Sequence, residues 1–363
     1  VQALCSIYYI VFLATCLLVY LIVDLAMRGW AELRRFMVGA AAAAVVAGLV
    51  LLPVIVPYLQ LQNRVDSVRG PEQVLYFSAD VRDFLHMPSF STLYGWTESA
   101  LGVPAHDAHQ YLFPGLIACV LAVIGWGRRR ERSEIRIYGI LLVVTVVLSL
   151  GRQLKIFDRV YNLPLPYAAL YDHVPGFHGF RDPARFAYIG FFCVALLAAW
   201  GLGAVLARLP RRGMMVAALL CVGALAEYWI APVATPHVAV GSAIPPVYHW
   251  LEAQPARTAV LELPIGQQNA VIWSQQAMMT YYATYHWRPI VNGVGGYTPA
   301  GYEANAATLN RWPTPAAEAL LRKWGVRYVI WHPEQVGRPG PPNRPATPLV
   351  WRGADGTSVY AVR

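Results

Sequence analysis

Charge is scarce in this chain: 13% of its 363 residues are Asp, Glu, Lys or Arg, where an ordinary soluble domain carries about 25%. With 57% hydrophobic residues and a mean hydropathy of +0.41, that shortfall argues against a soluble globular protein and for a polytopic membrane protein. Acids are scarcer than bases, 20 against 29, and the net charge of +9 would by itself suit a nucleic-acid partner. Its distribution does not. The windows 28–36, 128–136 and 208–212 hold eleven Arg and three Glu, a net +8, and each lies between two apolar segments. That is the positive-inside pattern of membrane proteins, so no nucleic acid is expected. Cysteine is also sparse: Cys5, Cys16, Cys119, Cys193 and Cys221 all fall within apolar segments at spacings unlike any metal signature, which implies neither disulfides nor zinc. Gly-x-Ser-x-Gly, the phosphate-binding P-loop, His-Glu-x-x-His and the dinucleotide fingerprint are missing, so soluble-enzyme templates give no lead.

What the chain has instead is long apolar runs. Six are expected as membrane helices: about Leu4–Met27, Phe36–Tyr58, Tyr111–Trp126, Ile137–Leu150, Phe186–Ala207 and Met214–Val233. A span needs roughly 20 residues, so the third and fourth are short. Val1 already looks part of a hydrophobic helix, and residues are expected to precede it. With the Arg windows cytoplasmic, the loops 59–110 and 151–185 and everything after Val233 lie outside the cytoplasmic (inner) membrane. Pro53 and Pro57 predict a kink or early end in the second helix.

The predicted division is a transmembrane helical domain over 1–236 and a small extracytoplasmic α/β domain over 237–363. In the latter, Thr258–Pro264 and Val326–Trp331 are short β-branched runs expected as buried strands. Between them Thr314 and Pro315 read as the cap and first residue of a helix that Gly325 stops. Leu349–Arg352 and Ser358–Val362, around Gly353-Ala-Asp-Gly356, read as a terminal hairpin. The segment His286–Pro299 reads as a glycine-rich structural turn region, with a carbohydrate-binding surface as the alternative.

The stretch Val174-Pro-Gly-Phe-His-Gly-Phe-Arg-Asp-Pro-Ala-Arg-Phe186 is the main candidate site. Asp182 followed by Pro183 predicts an N-cap and the first residue of a membrane helix. Arg181 and Arg185 then flank a helix start, where the dipole disfavours cations, on the side of the membrane usually poor in Arg. An anion nearby would explain both placements; pairing with Asp172 and lipid headgroups is the plainer reading. His178 stands beside them. Further polar candidates are Asp80, Asp83, His106, Asp107 and Glu227. The run His106-Asp107-Ala108-His109 permits a divalent metal, although histidines three apart in a loop usually belong to solvated polarity. Glu227, an acid in an apolar run, is expected to face a cavity or partner or to snorkel to the headgroups.

Several of these residues together carry a resemblance. Pro175-Gly-Phe…Phe180-Arg-Asp-Pro-Ala-Arg-Phe186 running into a helix with Gly201-x-Gly203, the opening Val1-Gln-Ala-Leu…Tyr8, and the series Glu262-Leu-Pro…His286-Trp-Arg-Pro…Asn292-Gly…Val326-Arg-Tyr-Val-Ile-Trp-His332 resemble an uncharacterised branch of the bacterial GT-C glycosyltransferase superfamily. The resemblance implies transfer of a sugar, by inversion, from a polyprenyl-phosphate carrier to a glycan, lipid or protein acceptor outside the cytoplasmic membrane. It also implies a catalytic Asp or Glu in a first outer loop that would precede Val1, so no catalytic residue is carried over here. Arg181, Arg185, Asp182 and His178 are then the expected lipid-phosphate site. A non-enzymatic membrane protein (a lipid or polysaccharide transporter, or an assembly partner) and a family member that binds lipid without chemistry are the alternatives.

Overall fold

A computed structural model describes residues 7–28, 30–61, 70–103, 110–129, 132–174, 176–231, 238–255, 258–266, 270–296, 298–337, 340–341 and 347–362. The chain is mostly helical and divides into two compact units, one built from 1–59 and 67–235, the other chiefly from 236–363.

The first unit opens with two long helices, α1 (Ile7–Arg28) and α2 (Trp30–Leu61). Short α3 (Pro71–Tyr76), a 3-10 turn (Val81–Phe84) and α4 (Trp96–Ala100) follow. Next come α5 (Leu116–Trp126), α6 (Ser133–Ser149), the strands β1 (Gln153–Ile156) and β2 (Arg159–Pro164), and α7 (Pro166–His173). The unit closes with α8 (Phe186–Leu206) and α9 (Gly213–Glu227). Each of the six apolar runs falls on a helix, but among the described residues only three stretches, Tyr8–Met27, Met37–Pro57 and Pro183–Leu206, are long and apolar enough to cross a membrane. Two are clipped by local backbone. Gly115, at φ 82°, delays α5 to Leu116, and α9 ends on Glu227 rather than reaching Val233. No early end occurs in α2, which stays helical through Pro53 and Pro57 to Leu61.

Close backbone packing joins α5 to α8. A Cβ placed on Gly125 would sit 2.0 Å from the Leu197 carbonyl oxygen, and one on Gly201 would sit 1.9 Å from that of Leu121. Glycine at both positions is therefore what lets the two helices meet backbone to backbone, the small-residue contact that apolar helices use where no hydrophobic force separates them from lipid. Loop 151–185 contains an antiparallel hairpin that local pattern does not predict: Phe157 and Asp158 take left-handed φ values of 50° and 61° at its turn. Non-glycine residues in that region cost about 1–2 kcal/mol each unless something holds them.

The second unit carries a four-stranded sheet in the order β3 (Ala259–Leu263), β4 (Val326–Trp331), β6 (Ser358–Ala361), β5 (Leu349–Arg352). The β3 and β4 strands are parallel and the other neighbours antiparallel. Around it lie α10 (Pro246–Glu252), α11 (Ala270–His286), α12 (Tyr302–Leu309), α13 (Pro315–Lys323) and the single turn α14 (Pro333–Val336). Thr314 accepts the Ala317 N–H as the cap of α13, whose Ala317 and Leu321 are buried in the core with Trp312 and Val329. The segment after His286 is structural: the Val260 N–H donates to the Pro289 carbonyl, the Val291 N–H donates to the Val260 carbonyl, and Asn292 grips Glu262 by both its N–H and its C=O at 2.7 Å. Arg288 is buried as well, and donates to the carbonyl of Leu251 in the last turn of α10 at 3.0 Å and to that of Pro255 beyond it at 2.6 Å.

Candidate functional site

The start of α8 is held by aromatic packing. Phe12 from α1 meets Phe186 at 4.4 Å between centroids, Tyr8 meets Phe180 edge-on at 4.8 Å, and Tyr167 and Phe177 close the cluster at 5.9 Å. Gly176, at φ 93°, turns the chain into it. Phe12, Tyr167, Phe177 and Phe186 are all buried, so the backbone either side of Arg181 and Arg185 is pinned to two helices.

On that frame the two arginines lie over aromatic rings. The Arg181 guanidinium sits 5.1 Å from the centroid of Phe77, and that of Arg185 sits 5.1 Å from Tyr8. Both distances are within cation–π range. Asp182 does not act as the predicted cap. Pro183 opens a 3-10 turn, Pro183–Arg185, before α8 begins at Phe186, and the Asp182 side chain forms no cap of normal hydrogen-bond geometry. Its Oδ2 accepts instead from Arg185 Nε at 2.7 Å, because a guanidinium three residues on outcompetes neutral amides for the carboxylate. The other oxygen, Oδ1, is buried with no partner among the described residues. Burial pushes the Asp182 carboxyl above its usual range, although Arg185 and Arg181 pull the other way. His178 is exposed on a single 3-10 turn, Phe177–Gly179, and joins none of these contacts. Pairing of the two arginines with Asp172 is also corrected: Asp172 is held by Arg152 at 2.8 and 3.4 Å.

The remaining acids serve the fold. Asp80 is fully buried and receives N–H bonds from Arg82 (3.0 Å), Phe157 (3.0 Å) and Asp158 (2.8 Å), which clamps the strained β1–β2 turn. Burial raises its pKa, but those three amides and the Arg82 guanidinium outweigh burial and hold the carboxyl below the ordinary Asp value. Asp83 closes a capping box by accepting the Asp80 N–H at 2.8 Å, and His86 stands 3.4 Å from its other oxygen. Glu227 faces partners within the fold and does not snorkel. It is 4% exposed and accepts from the Leu116 and Ile117 N–H groups at 3.0 and 3.1 Å and from Tyr94 Oη at 2.6 Å. A carboxylate from the end of α9 thus caps the start of α5, satisfying orphan amides and the positive end of the dipole. The bond to Glu227 pushes the Tyr94 hydroxyl up to about 12. His106 and Asp107 lie outside the described residues, as does His109. Among the described residues no group of three or more His, Cys, Asp or Glu is placed to hold a metal.

A groove of about 610 Å3 opens between α5, α6 and α8, walled by Ala122, Trp126, Gly139, Leu142, Val194 and Leu197 and almost wholly apolar. Gly139 lets the Trp126 ring lie against the α6 backbone. Val194 is eight residues into α8 from Phe186, which at 1.5 Å per residue is about 12 Å below the helix start.

No known protein family, curated protein or solved structure matches this chain. The chemistry must therefore be argued from the cluster itself. Of the two guanidiniums only that of Arg185 pairs with the Asp182 carboxylate, and beyond Arg185 Nε their donors make no hydrogen bond among the described residues. That arrangement suits an oxyanion with two or more acceptor oxygens. Sequence reasoning missed the aromatic platforms, Tyr8 and Phe77, because nothing in local spacing links either ring to an arginine so far along the chain.

Proposed function

We propose that this chain is a glycosyltransferase-like protein of the cytoplasmic membrane that binds the phosphate of a polyprenyl-phosphate-linked sugar at the start of α8 and hands the sugar to a glycan, lipid or protein acceptor. In this reading all six apolar helices are membrane segments, the Arg-rich windows face the cytoplasm, and the α/β unit is extracytoplasmic. The observation that carries it is the pair of guanidiniums at one membrane-helix start, each resting on an aromatic ring, with a single carboxylate, Asp182, paired to Arg185 alone. The apolar groove beginning about 12 Å down α8 offers a berth for isoprenyl units of the same lipid.

A second reading, lipid binding or transport without chemistry, is favoured by a separate observation. Asp80, Asp83 and Glu227, three of the acids singled out from sequence, act as hydrogen-bond acceptors within the fold. Native mass spectrometry of the detergent-solubilised chain with undecaprenyl phosphate and with undecaprenol tests the phosphate site. Retention of the phosphate lipid alone is expected, with most of it lost in Arg181→Lys and in Arg185→Lys while thermal stability holds. Equal retention of the two lipids, or unchanged retention in both variants, sinks the proposal. Vesicle assays with an undecaprenyl-phosphate hexose then separate the readings: release of the carrier supports transfer, and binding without release supports the second.

A further inference from the structure

The second unit holds a buried ionisable cluster that the proposal above does not use. Glu262, in the middle of β3, is fully buried, and its Oε2 bonds both Tyr248 Oη from α10 and His332 Nε2 from just beyond β4, each at 2.8 Å. Its Oε1 is sealed from solvent with no partner among the described residues. Removing a carboxylate from water costs several kcal/mol even when it is paired, and an unused buried oxygen adds to that cost. The flanking residues Leu261 and Leu263 are apolar, so strand formation alone does not call for an acid here.

The cluster has an outlet. A cavity of about 150 Å3 lies beside it, walled by Tyr248, Tyr282, His332, Glu334, Asp355 and Thr357. It sits past the carboxyl ends of the parallel strands β3 and β4, the edge where open α/β sheets take ligands. With Nε2 committed to Glu262, the imidazole has Nδ1 left, and no bond to that atom occurs among the described residues. The pair is thus a histidine whose ring is fixed by a buried carboxylate, with its second nitrogen left for a ligand.

The dimensions and lining define that ligand. A cavity of about 150 Å3 takes one six-membered ring. The imidazole, the Tyr248 hydroxyl and two carboxylates would leave a hydrocarbon ring badly matched, whereas a hydroxylated ring finds partners. Asp355 is held towards the cavity wall by the N–H and hydroxyl of Thr357 at 3.0 and 2.8 Å, and with Glu334 it makes the site repel anions. Tyr282, half-buried and backed by the buried Tyr248 ring stacked on it at 4.7 Å, supplies the apolar surface that the C–H face of a sugar ring needs. We propose that this cavity binds one uncharged hexose unit, with His332, oriented by Glu262, accepting a hydrogen bond from a ring hydroxyl. The choice of a sugar among hydroxylated rings rests on the glycosyl-transfer reading; the cavity and the Glu262–His332 pair do not.

The test is ligand-observed NMR titration of the full chain in detergent with the methyl glycosides of glucose, mannose and galactose, and with glucose 6-phosphate. At least one neutral hexoside is expected to bind in the millimolar range, as suits a single ring, and the phosphate to bind at least tenfold more weakly. His332→Ala is expected to weaken binding at least tenfold, with partial rescue in His332→Gln, which keeps an acceptor. Gln335→Trp, on the exposed rim, is expected to block the cavity without touching the buried cluster, which covers the case in which the His332 variants misfold. Glu262→Gln is expected to change the 15N tautomer signature of His332. Arg181→Lys with Arg185→Lys leaves hexoside binding unchanged, so carrier binding without hexoside binding overturns this site alone, and the converse overturns the phosphate site alone. Binding unaffected by Gln335→Trp and His332→Ala, or glucose 6-phosphate binding as well as the neutral sugars, also overturns it.

Discussion

Replacing Glu227 separates a structural acid from a working one. Its carboxylate satisfies the N–H groups of Leu116 and Ile117 and the hydroxyl of Tyr94, and with 4% exposure little water can replace it. Each buried donor left without a partner costs about 1–3 kcal/mol, so Glu227→Ala, which strands three, is expected to lose about 3–9 kcal/mol, a large part of the roughly 5–15 kcal/mol that holds a domain folded. Glu227→Gln keeps an acceptor oxygen and gives up mainly the charge facing the helix dipole, about 0.5–2 kcal/mol. The coupling with Tyr94 follows from a cycle of Glu227→Gln, Tyr94→Phe and the double variant, expected at about 0.5–3 kcal/mol. Thermal midpoints and denaturant unfolding in one detergent measure all four proteins, and undecaprenyl phosphate retention measured beside them is expected to follow the folded fraction. A Glu227→Ala protein within about 1 kcal/mol of wild type, or one fully folded that no longer binds the lipid, refutes the capping argument.

Other expectations follow from the same geometry. Asp182→Asn removes the anion that competes for Arg185 and is expected to tighten undecaprenyl phosphate binding by about threefold to tenfold; weaker binding in a folded variant would mean that the carboxylate positions the arginine. Burial holds the Asp182 pKa above the usual Asp range, so binding of an undecaprenyl phosphodiester, which itself does not titrate there, is expected to strengthen as pH falls towards that raised value, a trend absent from Asp182→Asn. Asp80 has the opposite sign: its depressed carboxyl stabilises the fold above its unfolded pKa of about 3.9, and that contribution fades as pH falls through the lower folded value. Unfolding of Asp80→Asn is accordingly expected to be less acid-dependent than wild type, and a parallel pair of pH curves would contradict it. Gly201→Ala puts a methyl 1.9 Å from the Leu121 carbonyl oxygen and is expected to force α5 from α8, lowering the thermal midpoint in detergent, while Gly203→Ala, which has open space, changes little.

Local residue pattern was enough for some of this molecule. Runs of apolar side chains must hide their backbone polarity in helices wherever lipid surrounds them, so the helices beginning near Tyr8, Met37 and Pro183 could be read directly. The α13 helix with its Thr314 cap, and the buried β3 and β4 strands, are equally short-range matters of capping and β-branched composition. Each of these signals acts over a few residues, within the reach of backbone preference and hydropathy.

Partner choice was not legible in the same way. Asp182 looked like a cap and became an ion-pair partner; Glu227 looked like a cavity acid and became the cap of a helix more than a hundred residues earlier; Asp80 holds a hairpin turn 77 and 78 residues on. Glu262 and His332 are 70 residues apart and meet only because β3 and β4 pair in parallel. Composition and periodicity settled that this chain has apolar helices fit for a membrane together with a small α/β fold. Which polar groups lie within about 3 Å of one another depends on how the segments pack, because a hydrogen bond or ion pair decays over ångströms and carries no mark in the residues between its ends.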